Sequence, residues 1–316
     1  MDAVFNVALP IFAVILAGYV AGKIGILGET ASKALNQFVY WVALPPLVFL
    51  AMARSSIQDV LHWPFIGAFL GSIVGVWLAA MVIGAIAKRE RAEILIMQGM
   101  NSAFSNTGYM GIPLFLSAFG SAAVAPALLA TVITSAIAVG LAVIGLELAA
   151  SKGRHIGHAL LDVFLALVKN PLVVAPMLGL LASYLRLPVP LPVANLFDLL
   201  GAAASPCALF AIGLFMSSRP LAADLAEIGW ISVLKLLWQP LLVWWLADTF
   251  FPMEPFWLAS AIILAALPTG ALTFVVAQKY EVYVERTSGV ILVSTIASVV
   301  TLSVLLAIYA PLFAPS

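Results

Sequence analysis

The chain has 316 residues, 64% of them hydrophobic and 9% charged, against about a quarter charged in an ordinary soluble domain. A water-soluble protein of this size could not hide the apolar surface that a mean hydropathy of +1.15 implies, so the chain is an integral membrane protein whose constant partner is the lipid bilayer. The 14 basic and 14 acidic residues cancel, giving no basis for nucleic-acid binding, and the single cysteine, Cys207, excludes an internal disulfide framework.

A spanning helix needs about 20 apolar residues. Ten such segments are predicted, at 4–22, 34–53, 64–87, 94–118, 123–149, 170–186, 193–216, 230–250, 257–278 and 287–311. The first has no basic region ahead of it and runs past Gly18 toward Lys23, so it reads as a span and not as a cleavable signal. The fourth contains "SNTGYMGIP", with Asn106, Thr107, Gly108, Gly111 and Pro113 at the depth where lipid penalises amides and helix breakers most. Upstream in the same span, Gln98 and Asn101 share a face; Asn101 either lines a cavity or bonds a neighbouring helix. The hydroxyls Thr131, Thr134 and Ser135 in the fifth span, and Ser294 and Thr295 in the tenth, are expected to serve packing.

Residues 157–169, after the fifth span, suit an amphipathic helix lying at the surface. His155 and His158 just before it are expected to sit in a solvated loop, not to bind a metal, and no cofactor is expected. Asp198, near the start of the seventh span, is expected at the interface, with a proton-carrying role as the alternative. Lys235 in the eighth span is expected to snorkel to the cytoplasmic edge, the alternative being an anion or ion-pair partner. Gln239 with Pro240 marks a kink. Asp198, Lys235 and Gln239 are therefore the candidates for proton or ion coupling. The ninth span carries "ALPTGAL", with Pro268, Thr269 and Gly270.

With ten spans, every basic residue except Arg54, Arg186 and Lys235 falls on one side. That side is cytoplasmic by the positive-inside rule, and both termini then face outward from the inner (plasma) membrane. Residues 117–138 align without gaps to 277–298 at an offset of 160, and Pro45 to Phe49 repeats as Pro206 to Phe210 at an offset of 161. Two five-span halves, 1–150 and 170–316, follow, joined by a cytoplasmic connection at 151–169. Because five is odd, the second half inserts upside down, as in many secondary transporters. Paired interruptions in corresponding spans of such halves point to the binding site, where opened helix ends offer amides and positive dipoles to an anion.

These residues carry a family resemblance. "NTGYMGIPLF" resembles the N-T-x-x-x-G-x-P-L motif of the auxin efflux carrier family, "ALPTG…FVVAQKY" is similar to that family's second crossover segment, and "KNPLVVAPMLGLL" to the usual start of its sixth span. The resemblance covers essentially the whole chain. It implies an all-α membrane fold of the bile acid/sodium symporter type, with broken fourth and ninth spans crossing beside the substrate and spans 1, 2, 6 and 7 as scaffold. It also implies a homodimer that exports or exchanges small organic anions such as malonate or auxin-like acids. By that motif Asn106 matches the asparagine expected to bind a carboxylate; the paired breaks add Thr107, Gly108, Pro113, Pro268, Thr269 and Gly270 to the expected site, and Asn101 joins it from upstream in the fourth span. Where the plant proteins usually carry Gln, this chain has Thr269, and it lacks their long cytoplasmic loop.

Three function classes are weighed. A carrier is favoured by the repeat, the paired breaks and the motifs. An intramembrane enzyme would need a nucleophile with a base, or metal ligands, at spanning depth; no H-E-x-x-H occurs, and the three histidines lie in or beside connections. A channel or receptor-like sensor on the same fold would lack saturable counterflow. Neither crossover contains Asp or Glu, so a sodium site built on a mid-span carboxylate finds no support. Proton coupling through Asp198 and diffusion down the electrochemical gradient both remain open.

Overall fold

Backbone amides and carbonyls in an apolar run have no water to bond in a bilayer, so such a run closes its hydrogen bonds on itself as a helix. The computed structural model describes residues 9–54, 61–88, 90–120, 123–150, 165, 168–169, 171–218, 224–309 and 312. Among them the regular structure is all helical, apart from one isolated β-bridge. In chain order the helices are α1 (Leu9–Lys23), α2 (Glu29–Ala53), α3 (Trp63–Lys88), α4 (Ala92–Ala103), α5 (Thr107–Phe119) and α6 (124–150). There follow α7 (Pro171–Tyr184), α8 (Leu191–Ser217), α9 (Leu225–Thr249), α10 (Pro255–Ala265), α11 (Leu272–Tyr280) and α12 (Val284–Tyr309).

Five of these, α2, α3, α8, α9 and α12, are each long and apolar enough to cross a membrane. Shorter apolar helices make up α1, α5, α7, α10 and the two parts of α6. Large apolar side chains such as Ile86, Leu199 and Val300 stand exposed on the outside of the bundle, a costly surface in water and an ordinary one in lipid. The second predicted segment begins five residues too late. α2 starts at Glu29, absorbing part of the charged connection, and a Glu29–Lys33 pair one turn apart (3.2 Å) supports that first turn. Most of the surface helix expected at 157–169, together with His155 and His158, lies outside the described residues.

Among the described residues, four helices contain a five-residue π-turn: Val39–Ala43 in α2, Thr107–Gly111 opening α5, Thr134–Ala138 in α6 and Leu234–Trp238 in α9. Three of them run straight into a helical stretch with proline in its first turn, at Pro45 and Pro46, Pro113 and Pro240. Proline cannot donate to the carbonyl four residues back, and its ring collides with it. Widening the preceding turn to i→i+5 spacing removes that collision without breaking the helix.

Two seams bring helix backbones into contact. A Cβ added at Gly18 on α1 would lie 2.1 Å from the Phe210 carbonyl oxygen on α8, and one at Gly179 on α7 would lie 2.4 Å from the Phe49 carbonyl oxygen on α2. Only glycine permits either approach, the kind of small-residue packing that holds helices together where no hydrophobic effect operates between them.

Candidate functional site

α4 ends at Ala103 because Phe104 turns to an extended backbone (φ −81°, ψ 96°), and Asn106 (φ −75°, ψ 54°) reopens the chain into α5. α10 likewise ends at Ala265, and α11 does not begin until Leu272. The two breaks meet. Ser105 and Thr269 form an antiparallel bridge, in which the Asn106 N–H donates to the Pro268 carbonyl at 2.9 Å and the Gly270 N–H to the Phe104 carbonyl at 3.1 Å. Each break thus satisfies backbone groups that the other leaves open, which is how irregular backbone survives at membrane depth. Gly270 is required here by space: a Cβ would stand 2.7 Å from the Phe104 ring and 3.2 Å from the Asn106 Cα.

A cavity of about 320 Å³ opens against the first break. Asn106, Thr107, Gly108 and Tyr109 form one wall, α2 contributes Asn36, Gln37 and Tyr40, and α6 contributes Thr131 and Ser135. Leu172, Phe215 and Phe274 close it with apolar surface. Asn106 is buried at the head of α5, its carbonyl accepting from the Met110 and Gly111 amides (3.1 and 3.0 Å). The first-turn N–H groups of a helix have no partner within it, and they carry the positive end of its dipole. Tyr40 and Tyr109 stack at 6.4 Å between ring centroids. Glu29 and Lys33 also line the cavity, and both side chains are largely exposed.

Of the residues predicted for the site, Asn106, Thr107 and Gly108 line this cavity. Pro268, Thr269 and Gly270 are buried in the second strand of the crossing, where the Thr269 hydroxyl donates to the Asn101 carbonyl at 2.8 Å. Pro113 is packed inside α5. Asn101 is fully buried and faces away from the cavity, its amide donating to Met97 O and Thr287 Oγ1. Asp198 stands at the surface, 3.5 Å from Arg54.

Lys235 does not snorkel. It is fully buried, as is Gln239 one turn on. Its ammonium donates to Gln239 Oε1 (2.7 Å) and to the Ala265 carbonyl, while Gln239 Nε2 donates to the Ala103 carbonyl at 3.1 Å. The π-turn at Leu234–Trp238 and Pro240 lie in the stretch of α9 that presents both side chains.

A second polar group, missed from sequence, joins the starts of α9 and α12 to α4. Glu227 is buried and accepts from Gln98 Nε2 (2.7 Å), Arg286 (2.9 Å) and the Tyr283 hydroxyl. Arg286 also reaches Glu90 at 3.3 Å. Burial, and hydrogen bonding to the Glu227 carboxylate, push the Tyr283 phenol well above its ordinary range.

The α2 side of the cavity was missed as well, although it was legible: Ser32, Lys33, Asn36, Gln37 and Tyr40 fall at spacings that place them on one helical face.

A family model described as membrane transport protein matches residues 3–306. The chain is 32% identical over 306 residues to a Rhizobium meliloti (strain 1021) protein named "Putative malonate transporter", covering 97% of this chain and 96% of the relative. It is 26% identical to an uncharacterized transporter of Methanothermobacter thermautotrophicus, covering 93% and 94%. With the uncharacterized transporter YfdV of Escherichia coli (strain K12) it shares 24% identity, covering 93% of both chains.

Proposed function

The chain belongs to the auxin efflux carrier family of membrane transport proteins, and from that premise we propose that it is a secondary carrier of small organic anions working by alternating access at the α4–α5 and α10–α11 crossing. Family and relatives are those of transporters, not of enzymes. The observation that carries the reading is the backbone pairing of Asn106 with Pro268 and of Gly270 with Phe104, beside a cavity that Asn106 and Gly108 line. A carboxylate placed there meets the Asn106 amide and the positive end of α5, while apolar walls hold the rest of the solute.

In this reading the helices make ten passes in two inverted halves, with α4–α5 and α10–α11 as the broken fourth and ninth. The glycine seams support it. Gly18 corresponds to Gly179 and Phe49 to Phe210, both at an offset of 161 in the sequence, and the contact is exchanged: α1 touches α8 as α7 touches α2. An internal two-fold axis produces that exchange. Topology then follows the positive-inside rule in an inner-membrane protein with both termini outside. The cavity, reaching Lys33 near the cytoplasmic start of α2, faces inward. The protein works as a homodimer, and of its candidate substrates a malonate-like dicarboxylate is preferred to an auxin-like acid, following the 32% identical relative named for malonate and the Thr269 that stands where the plant proteins usually carry Gln.

The test is entrance counterflow in proteoliposomes loaded with unlabelled malonate and given labelled malonate outside, alongside a thermal-shift screen of dicarboxylates and aromatic acids on purified protein. Saturable counterflow with malonate, and a melting temperature raised by the same acid, support the reading. Conductance without counterflow would make the protein a channel and end it.

A further inference from the structure

The ends of α4 and α10 raise an electrostatic problem that the crossing does not solve. A helix C-terminus carries roughly half a negative charge on carbonyls that have lost their intrahelical donors. Ala103 and Ala265 occupy corresponding places in the two breaks. The amides four residues on are engaged elsewhere: the Thr107 N–H donates to the Ser105 carbonyl at 2.8 Å, and the Thr269 N–H to Ser294 Oγ at 3.2 Å. Two buried carbonyls at two negative helix ends therefore need donors from another element.

One turn of α9 supplies both. Gln239 Nε2 takes the Ala103 carbonyl, the Lys235 ammonium takes the Ala265 carbonyl, and Lys235 and Gln239 bond each other at 2.7 Å. Both side chains are fully buried. A buried ammonium without nearby negative charge is strongly unfavourable; two helix ends with their open carbonyls provide that charge. Carriers with broken helices use the same kind of oxygens, unwound carbonyls and half-helix C-termini, to coordinate a coupling cation. The first half offers no equivalent. Counted back by the spacing that relates Ala265 to Ala103, Lys235 and Gln239 correspond to Ile73 and Trp77 on α3, both buried.

We propose that Lys235 is a built-in cation, its ammonium occupying the place at the paired helix ends where a sodium ion would otherwise bind. Lys235 is on this account a positioning residue: it fixes the two half-helices relative to each other and relieves the carrier of an external monovalent ion. The sodium independence of transport rests on the carrier reading above; the identity of the charge at the helix ends does not.

The experiment needs no organic substrate. Purified protein is melted in sodium, lithium and choline chloride at equal ionic strength. The native protein gives one melting temperature in all three salts. Lys235→Ser, which opens a small polar space, melts lower in choline and regains several degrees in sodium or lithium. Lys235→Arg stays indifferent to the cation. Specific stabilisation of the native protein by sodium would overturn the proposal, as would a Lys235→Ser variant with the same melting temperature in all three salts. If Lys235→Ser yields no folded protein, Lys235→Met and Lys235→Arg decide. Loss of the first with retention of the second supports a required charge, and native stability in Lys235→Met overturns it. Failure of malonate to counterflow would leave all these outcomes standing, so the two readings fail separately.

Discussion

In the proposed carrier, Asn106 concentrates what the crossing offers a solute: a side-chain amide at the cavity wall, beside the positive end of α5. A hydrogen bond to a charged group contributes about 1.5–3 kcal/mol, so Asn106→Ala should raise the malonate concentration for half-maximal counterflow by about 10- to 100-fold, with an unchanged melting profile in the absence of ligand. Gly270 is the opposite kind of residue, needed for what it lacks. Gly270→Val would force its Cβ into the Phe104 ring and the Asn106 backbone, separating the paired strands. Counterflow should vanish, and overpacking should cost about 1–3 kcal/mol in stability, read as a lower melting temperature. Both residues stood out in sequence, since breakers and amides are costly in an apolar span and need a reason to be there. Lys235 was not. A lysine a few residues inside a span ordinarily reaches back to the interface, and nothing local in "LKLLWQP" says that two helix ends wait on the other side.

At the scale of elements, the apolar segments reported their own helices well, because composition alone decides whether a stretch can sit in lipid. Their limits were less legible. α2 extends outward to Glu29 since a charged first turn is stable at an interface and even pairs with itself. The Glu227 cluster was invisible for another reason: its members come from α4, α9, α12 and the segments preceding them, so no window of sequence holds them together. Arg286→Met would take the charged donor from the buried Glu227 carboxylate while leaving the Gln98 and Tyr283 donors in place. Removing one partner of a buried ion pair costs about 3–5 kcal/mol, and with Arg286 partly exposed a loss of about 2–3 kcal/mol is expected. The variant should melt several degrees lower and gain stability in the double change Arg286→Met with Glu227→Leu.

For the whole molecule, what sequence conveyed was an arrangement of charge and a repeat, from which orientation follows only if the passes are counted correctly. Topology can be checked directly. In a Cys207→Ser background, Arg91→Cys and Lys279→Cys should react with a membrane-impermeant maleimide only from the cytoplasmic side, and Arg54→Cys and Arg186→Cys only from outside. Labelling of Arg91→Cys and Lys279→Cys from opposite faces would sink the inverted arrangement. The seams at Gly18 and Gly179 bear on how such a molecule could change the face to which its cavity opens. With a carbonyl oxygen lodged in each place where a methyl group would sit, α1 is seated closely against α8, and α7 against α2. In the proposed carrier these four helices form a stiff keel, and the work of exposing a solute to the far side falls on whatever hangs from it.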